Sequence, residues 1–432
     1  MLVKTMSHNI SRRSLLFSAA TSFNLRAQPT RQPNILLINT DDQRFDTIRE
    51  LGNKEIHTPN LDKLVRRGFT FSNAYCQGGN LGAVCMPSRT QLMTGLSTFK
   101  APKPSDRGGN YPLLAKVMEK AGYSTFHIGK RGNTFLPASE AFQETIFSEK
   151  LTDERELQCE RHADEVLAHI RSLKPQEPYF IYLAPPVPHD PRVAPKKFMD
   201  MYDPAKITMP KNFMPEHPFD NGDLKIRDEM LAPFPRTPEV MKRHLADYYA
   251  CITCLDFHLG RIFDGIDAGN TIVIFTSDQG LAVGGRHGLM GKQNLYEHFK
   301  SPMIIAGPGV PHGHSNALTY LYDLFPTLCD FANAPTPAEV DGASMVPIVK
   351  GQKKQQRDTL FAVYKDFQRM VRDERWKLIW YPKISRFQLF DLKSDPWELK
   401  DHSISNFPQL ARMRKKMAEQ QEKFADQLPK CG

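Results

Sequence analysis

The chain has 432 residues, of which 40% are hydrophobic and 24% are charged. This composition is that of a soluble globular protein, and the length suggests two domains or one large α/β domain with an appendage. The formal net charge is +9, but residues 1–31 supply five of those charges and carry no acidic residue. The remainder is only mildly basic, which gives little support for nucleic-acid binding.

The N-terminal segment has the features of an export signal. Residues 11–17 resemble a twin-arginine motif with the pair Arg12 and Arg13, and a short apolar run at 15–20 overlaps its end. That run is too short to span a bilayer, and no later stretch is apolar enough for a transmembrane helix. We therefore expect residues 1–30 to direct export to the periplasm or the extracellular space. A disordered basic leader is the alternative.

Apolar runs alternate with helical patterns along most of the chain. The predicted strands are 34–39, 123–128, 179–183, 271–276 and 301–306, and the predicted helices are 58–68, 87–94, 112–121, 154–173 and 238–266. This alternation indicates an α/β fold with a mostly parallel sheet covered on both faces. The pattern changes at about residue 346, because two antiparallel strands, 376–380 and 387–391, precede a last helix near 408–428. We expect a main domain at 31–345 and a small C-terminal α+β subdomain at 346–432.

Two other features bear on organisation. Residues 185–237 are rich in proline and have few regular signals, and so long an irregular segment in a compact domain is usually functional and often rims a pocket. The seven cysteines are too few and scattered for a dense disulfide framework. Cys251 and Cys254 have C-x-x-C spacing, but they lie inside a helical pattern, so we expect helix packing rather than a redox role.

Polar residues follow the carboxyl ends of four predicted parallel strands. They are Asp41 and Asp42, Lys130, His189, and the pair Asp278 and Gln279. Ligands of open α/β sheets bind at that edge, so this placement predicts a site. Adjacent acids such as Asp41 and Asp42 repel each other unless a cation offsets their charge, and oxygen ligands suit Ca²⁺ or Mg²⁺. A helix cap or a solvated loop pair is the alternative for these two acids.

The most informative run is residues 85–95, which begins with the pattern C-x-P-S-R and ends in L-M-T-G. It closely resembles the signature of the type I sulfatases, in which the cysteine is oxidised to formylglycine and the hydrated aldehyde attacks sulfur. The resemblance implies that a separate maturation enzyme converts Cys85. It also implies the alkaline-phosphatase-like α/β sandwich with a C-terminal antiparallel sheet. A small buried cysteine in a Pro/Ser turn is the alternative.

Three further segments resemble motifs of the same family. The segment that ends in Lys130 resembles the second signature, whose lysine contacts the diol and the sulfate. His189, between two prolines, resembles the loop histidine that binds the ester oxygen or protonates the leaving group. The segment 286–297 resembles the one whose lysine grips sulfate, which implies that role for Lys292 and makes His287 a weaker candidate for the site rim.

The resemblance also implies a metal site and a role for Arg89. In the family, an early Asp pair and a late Asp-Asn or Asp-Gln pair hold the cation together with an oxygen of formylglycine. The implied ligands are Asp41, Asp42, Cys85, Asp278 and Gln279, with Ca²⁺ as the usual ion and Mg²⁺ possible. Arg89 falls one turn into the predicted helix and is expected to point back toward the nucleophile and these acids. Without the motif, a surface arginine would be the better interpretation.

Two departures from the family pattern affect the expected chemistry. The family has a histidine two positions after the lysine, and this histidine is the base that helps to expel sulfate. Here Gly132 occupies that place, and the loss of a general base costs about 10²–10⁴ in the step it serves. His127 lies on a predicted strand and alternates away from a substitute position. In addition, an insertion-like stretch at 78–82 precedes Cys85 and is expected to reshape the pocket wall.

These observations predict a sulfuric ester hydrolase whose catalytic domain is 31–345. The expected substrate is a sulfate monoester on a carbohydrate, with a small aryl or choline sulfate as the second choice, and no nucleic-acid partner or membrane span is expected. A phosphonate or phosphodiester hydrolase is the nearest alternative, but a phosphatase of this superfold would normally use Ser or Thr where Cys85 stands. Gly132 keeps a second alternative open, a catalytically weak sulfoglycan-binding protein.

Overall fold

The structure is a computed structural model that describes residues 31–103, 105–106, 108–150, 154–292 and 294–431. The predicted export signal at 1–30 lies outside these ranges. Residues from Gln32 onward form one compact unit, and the division at residue 345 stays a prediction. None of the helices in the described ranges has both the length and the apolar character that a bilayer crossing requires.

The described residues form fourteen strands and ten α-helices. The strands are β1 (Asn34–Thr40), β2 (Phe69–Tyr75), β3 (Gly78–Gly79), β4 (Ser124–Gly129), β5 (Glu144–Phe147), β6 (Tyr179–Ala184), β7 (Thr271–Ser277), β8 (Lys300–Ser301), β9 (Met303–Ala306), β10 (Gly313–Tyr320), β11 (Leu360–Tyr364), β12 (Gln368–Arg372), β13 (Trp376–Tyr381) and β14 (Arg386–Asp391). The helices are α1 (Pro59–Arg67), α2 (Cys85–Thr94), α3 (Leu114–Lys120), α4 (Leu136–Glu140), α5 (Gln158–Ser172), α6 (Lys196–Met199), α7 (Pro238–Gly265), α8 (Leu324–Ala332), α9 (Val346–Val349) and α10 (Phe407–Lys423).

A nine-stranded mixed sheet occupies the centre, in the order β10-β2-β9-β7-β1-β6-β4-β5 with β8 beside β2. Strands β7, β1, β6, β4 and β5 are parallel to their neighbours within this run, whereas β8 and β9 pair antiparallel with β2. The predicted mostly parallel sheet is confirmed. The predicted strand at 301–306 is divided at Pro302, because proline has no N–H to donate to a ladder.

Strand β1 shows how the sequence produces two layers. Ile35 and Leu37 belong to one apolar core, and Leu36 and Ile38 belong to the other. Successive side chains of a strand point to opposite faces, so a continuous apolar run is what a sheet covered on both faces needs. Helices α2, α3 and α8 contribute to the first core, and α1, α5 and α7 contribute to the second.

A second sheet has the order β14-β13-β12-β11-β3. Its C-terminal strands are antiparallel, as predicted, and Met413 and Met417 of α10 pack in its core. Strand β3 belongs to the insertion-like stretch and pairs parallel with β11. Gly78 has a φ of 82°, and a Cβ there would lie 1.9 Å from the carbonyl oxygen of Val363, so only glycine fits this contact. The stretch before Cys85 is therefore bound to the C-terminal sheet.

The order of the parallel strands determines where the polar loops meet. β7, β1, β6 and β4 lie side by side, so their carboxyl ends share one edge of the sheet. The loops that leave this edge begin at Asp278, Asp41 and Lys130 and include the proline-rich segment 185–237. Helix α2, which starts at Cys85 itself rather than at residue 87, packs beneath the same edge and is joined to it by hydrogen bonds.

Candidate active site

The two acids after β1 have a constrained backbone. Asp42 has a left-handed backbone with a φ of 68°, a conformation that Asp tolerates better than most residues. The hydroxyl of Tyr248 donates to the Asp42 carbonyl oxygen at 2.6 Å, and the Asp42 N–H donates to Asp278 Oδ1 at 3.0 Å. These contacts fix Asp42 between α7 and the residue that follows β7. The structure therefore places one acid of the early pair beside the acid of the late pair.

Cys85 lies in the middle of this cluster and is 1% exposed. Its Sγ is 3.1 Å from Lys292 Nζ, 3.1 Å from Gln279 Nε2 and 3.6 Å from Asp42 Oδ1. As the first residue of α2, it also lies where the helix dipole concentrates positive potential. The residue at position 85 therefore contacts a cation, an amide and a carboxylate at once.

Arg89, one turn into α2, points back into the cluster as the family resemblance implied. Its Nε donates to Asp278 Oδ2 at 3.0 Å, and its Nη2 lies 3.8 Å from Asp41 Oδ2. The Ser88 hydroxyl also donates to the Asp278 backbone carbonyl oxygen. Arg89 is 1% exposed, so this charge is held by buried carboxylates rather than by solvent.

His189 enters the cluster from the proline-rich segment. Its Nδ1 donates to the carbonyl oxygen of Asp190 at 2.7 Å, which leaves Nε2 directed at Asp42 Oδ2, 3.8 Å away. Arg227 joins the carboxylate of Asp190 to that of Asp228. The segment therefore contributes His189 to the site, and Arg227 links two carboxylates of the same segment.

Lys292 is positioned by a residue that the sequence did not single out. The buried carboxylate of Glu229 accepts hydrogen bonds from the N–H groups of Met290 and Gly291, at 2.8 and 2.9 Å, and from Arg236. These contacts hold the backbone just before Lys292. The Lys292 ammonium then lies 3.8 Å from Asp228 Oδ2 in addition to its contact with Cys85. No motif marked Glu229, because it acts on backbone atoms that carry no sequence pattern.

The segment after β4 contributes three residues. Lys130 is partly buried, and its charge acts on Asp41. Gly132 leaves open space, because a Cβ there would meet only Lys130 Cε, at 3.8 Å. Asn133, which the sequence did not indicate, donates from Nδ2 to Asp41 Oδ2. Gly132 thus leaves open the place at which the family has its histidine. The amide of Asn133, rather than a base, contacts Asp41 here.

Two histidines lie apart from the Cys85 cluster. His287 has a φ of 51°, its Nε2 is 3.0 Å from Glu297 Oε2, and its ring stacks on Tyr296 at 4.0 Å. These contacts place it in a separate buried network. His127 packs in the core, where its ring stacks on Tyr182 at 5.2 Å. Burial and the Arg89 charge lower the pKa of His127 to about 3, so it is neutral and unsuited to act as the missing base.

The charges of the cluster explain its protonation. Burial and then the carboxylates of Asp278, Asp41 and Asp42 raise the pKa of the Cys85 thiol well above its ordinary value. Burial and the neighbouring carboxylates also raise the pKa of Asp278 to about 7, against the Arg89 charge. Burial opposes the charge of Lys292, but the contact with Asp42 outweighs it and raises the pKa of the ammonium. The cysteine is therefore a neutral thiol beside a charged lysine.

The donor set fits a divalent cation. Within the described part of the chain, the buried oxygens Asp41 Oδ1 and Gln279 Oε1 accept no hydrogen bond. Buried polar atoms are rarely left without a partner in folded proteins, and a bound ion can fill that role. One donor atom from each of Asp41, Asp42, Cys85 and His189 lies within 4.8 Å of the others. Several carboxylate oxygens and one amide oxygen are ligands that a hard cation prefers.

Comparison with protein families matches residues 33–334 to the Sulfatase family and residues 285–427 to the family described as N-sulphoglucosamine sulphohydrolase, C-terminal. Among curated proteins, the chain is 23% identical to the N-acetylglucosamine-6-O-sulfatase of Bacteroides thetaiotaomicron, over 95% of this chain and 90% of that protein. It is 27% identical to the choline-sulfatase of Rhizobium meliloti, over 86% and 82%.

Two solved structures share the fold with a TM-score of 0.77 and 21% identity. One is a protein in complex with its substrate D-glucosamine-2-N,6-O-disulfate, and the match covers 92% of this chain and 99% of that one. The other is the phosphonate monoester hydrolase of Agrobacterium radiobacter, with 91% and 96% covered. The alkaline-phosphatase-like fold of the prediction is confirmed.

Proposed function

The chain belongs to the sulfatase family of sulfuric ester hydrolases, and from this premise we propose that it removes sulfate from a sulfated carbohydrate. The relative that acts as an N-acetylglucosamine-6-O-sulfatase and the fold shared with a protein bound to a glucosamine disulfate support this substrate class. A small ester such as choline sulfate is the second choice, and the choline-sulfatase relative supports it. The twin-arginine-like segment supports an exported enzyme.

The nucleophile in this proposal is Cys85 after oxidation to formylglycine by a maturation enzyme. The observation that carries the proposal is the position of residue 85, 3.1 Å from the Lys292 ammonium at the start of α2 and beside Asp42. An unmodified thiol with a raised pKa is protonated here, and a neutral thiol is a weak nucleophile. The hydrated aldehyde supplies a nucleophilic oxygen at the same position.

Two lysines bind the anionic ester. The Lys292 Nζ, which faces residue 85, and the partly buried Lys130 after β4 can each donate to nonbridging sulfate oxygens. Fixed cations aimed at oxygens that gain charge during the reaction stabilise the transition state more than the substrate. Arg89 acts indirectly, because it holds Asp278 and Asp41 in place. We infer that the lysines bind substrate and that Arg89 keeps the acids oriented.

His189 is the proposed proton donor to the leaving ester oxygen. The carbonyl oxygen of Asp190 holds Nδ1–H, so Nε2 is the atom that faces the cluster. In the imidazolium form Nε2 carries a proton that can pass to the departing alcohol. General acid catalysis of this kind contributes about 10²–10⁴ when the leaving group is poor, as a sugar hydroxyl is.

A Ca²⁺ ion, with Mg²⁺ as the alternative, completes the proposed site. Asp41, Asp42, Asp278 and Gln279 would hold it together with residue 85, and the unpartnered oxygens of Asp41 and Gln279 support this assignment. The ion would supply positive charge for the sulfate oxygens and offset the repulsion among the carboxylates.

The deciding experiment is peptide mass spectrometry across residue 85 after co-expression with a formylglycine-generating enzyme, paired with turnover of 4-nitrophenyl sulfate. Conversion lowers the residue mass by about 18 Da, and the modified protein should release sulfate. A converted protein that hydrolyses a phenylphosphonate ester but no sulfate ester would establish the phosphonate alternative. A converted protein that binds sulfated glycan without turnover would establish the binding-protein alternative.

A further inference from the structure

A large cavity lies beside the start of α2 and is not used by the site described above. Its volume is about 1120 Å³, and residues of α2 and of the end of α10 line it. The insertion-like stretch forms part of its wall through Gly79, Asn80 and Leu81, and α2 contributes Met86 and Pro87. The stretch that interrupts the family pattern before Cys85 is therefore a wall of this cavity.

A second cavity of about 630 Å³ lies over the vacant position at Gly132. Arg131, Lys150 and Glu149 line it, and Met86 lines it as well. Met86 thus forms a wall of both cavities, and it directly follows the nucleophile position. The two cavities therefore share one side chain, and that side chain belongs to the residue next to position 85. Gly132 keeps this region open, because a histidine there would occupy part of it.

The charge around both cavities favours a polyanion. Lys100, Lys103 and Lys423 line the larger cavity, whereas Asp341 is the acid that lines it. Lys103 and Lys423 are exposed, and Lys100 pairs with Asp341. The larger cavity also has aromatic side chains at Phe99, Tyr322 and Phe424. Cationic groups together with aromatic rings suit sulfate groups carried on sugar rings.

We propose that the two cavities are binding subsites for the sugars on either side of the one that loses sulfate, so that the enzyme acts within a sulfated polysaccharide. For the catalytic step this inference rests on the proposed function. A pocket for one drug-sized ligand has a volume of about 300–1,000 Å³, and the larger cavity alone exceeds that range. A single sugar would leave most of this space empty, whereas a chain that crosses Met86 fills both cavities.

The test is the binding of fluorescein-labelled dextran sulfate, measured by anisotropy at constant ionic strength because salt screens exposed charges. One variant, Lys103→Glu with Lys423→Glu, reverses charge in the larger cavity, and another, Arg131→Glu with Lys150→Glu, does so in the smaller one. The matched control is Lys54→Glu with Lys63→Glu, which changes the net charge equally near α1, on the opposite face of the central sheet.

We expect each cavity variant to raise the Kd for dextran sulfate by about fivefold or more, because it reverses two exposed cations of a proposed subsite, and the control to raise it by less than about twofold. Unsulfated dextran should not compete. The inference is overturned if either cavity variant binds like the control, or if unsulfated dextran competes equally. Because binding is measured without turnover, failure of 4-nitrophenyl sulfate hydrolysis by the wild type would count against the proposed function alone.

Discussion

Lys292 Nζ lies 3.1 Å from Cys85 Sγ, although the two residues are 207 positions apart in the chain. The same ammonium is 3.1 Å from Asp42 Oδ2, so one cation joins residue 85 to Asp42. Lys292 is 3% exposed, and Cys85 and Asp42 are each 1% exposed. A buried charge of this kind is costly unless it is paired, which makes the cluster sensitive to any change in its composition.

Cys85→Ala should abolish release of sulfate from 4-nitrophenyl sulfate while the protein stays folded. The variant removes the atom that formylglycine formation requires and leaves only a small void. Folding is checked by thermal unfolding, and Cys329→Ala is the matched control, because Cys329 is equally buried but lies in α8, outside the cluster. Turnover by Cys85→Ala at the wild-type rate would remove residue 85 from the mechanism.

Asp278→Asn should lower the metal content of the purified protein and its activity together. The amide keeps the shape of the side chain but loses the charge that attracts a divalent ion, and it weakens the contact with Arg89 Nε at 3.0 Å. Metal content is measured by plasma emission spectroscopy after dialysis against buffer with Ca²⁺. The control is Asp256→Asn, a buried carboxylate that accepts hydrogen bonds at the start of α1. Equal metal content in the two variants would contradict the ligand set.

Gly132→His should be accommodated and should raise turnover. A Cβ at this position meets only Lys130 Cε at 3.8 Å, and Gly132 is absent from the residues with positive φ, so neither space nor backbone requires glycine. A restored base should speed the release of sulfate by about tenfold or more, because general bases contribute about 10²–10⁴. Pre-steady-state kinetics would measure the burst of 4-nitrophenol release from 4-nitrophenyl sulfate. The variant Gly132→Gln controls for the size of the added side chain. An unchanged rate with no burst in the wild type would show that another group already serves as base.

The sequence predicted the parallel strands and the meeting of their loops because both depend on local patterns. The apolar run of β1 and the acids behind it are adjacent in the chain, and parallel strands bring such ends to one edge. The roles of Glu229, Asn133 and Arg227 were missed, because each acts through contacts between segments far apart in the chain. The place of the 78–82 stretch in the C-terminal sheet was hidden for the same reason.

Arg227→Met should lower turnover of a sugar sulfate by about tenfold and of an aryl sulfate by less than about threefold. Arg227 joins Asp190 to Asp228, and Asp190 in turn holds His189 through its carbonyl oxygen. Loss of this contact should misalign His189, the proposed proton donor, and poor leaving groups depend most on such a proton. The measurement is the ratio of kcat/KM for the two esters.

Arg243→Met is the control, because it removes an exposed arginine that pairs with Glu239 on α7, and it should leave the ratio unchanged. A uniform loss on both esters would indicate a merely structural role.

The buried ring of His127 should make the protein less stable in acid. Burial lowers its folded-state pKa to about 3, whereas an exposed histidine in the unfolded chain has a pKa of about 6.5. The unfolded state therefore binds the proton first, so the stability from the neutral ring is complete above about pH 6.5 and is lost as the pH falls toward 3.

Between pH 7 and pH 5 this histidine should account for a loss of about 2 kcal/mol in the free energy of unfolding, since each pH unit below the unfolded-state pKa corresponds to about 1.4 kcal/mol. Urea unfolding at the two pH values measures the loss, and His127→Phe, which keeps an aromatic ring against Tyr182, should reduce it by that amount. An equal loss in the variant and the wild type would show that the other buried histidines, whose pKa values are also lowered, carry the acid sensitivity.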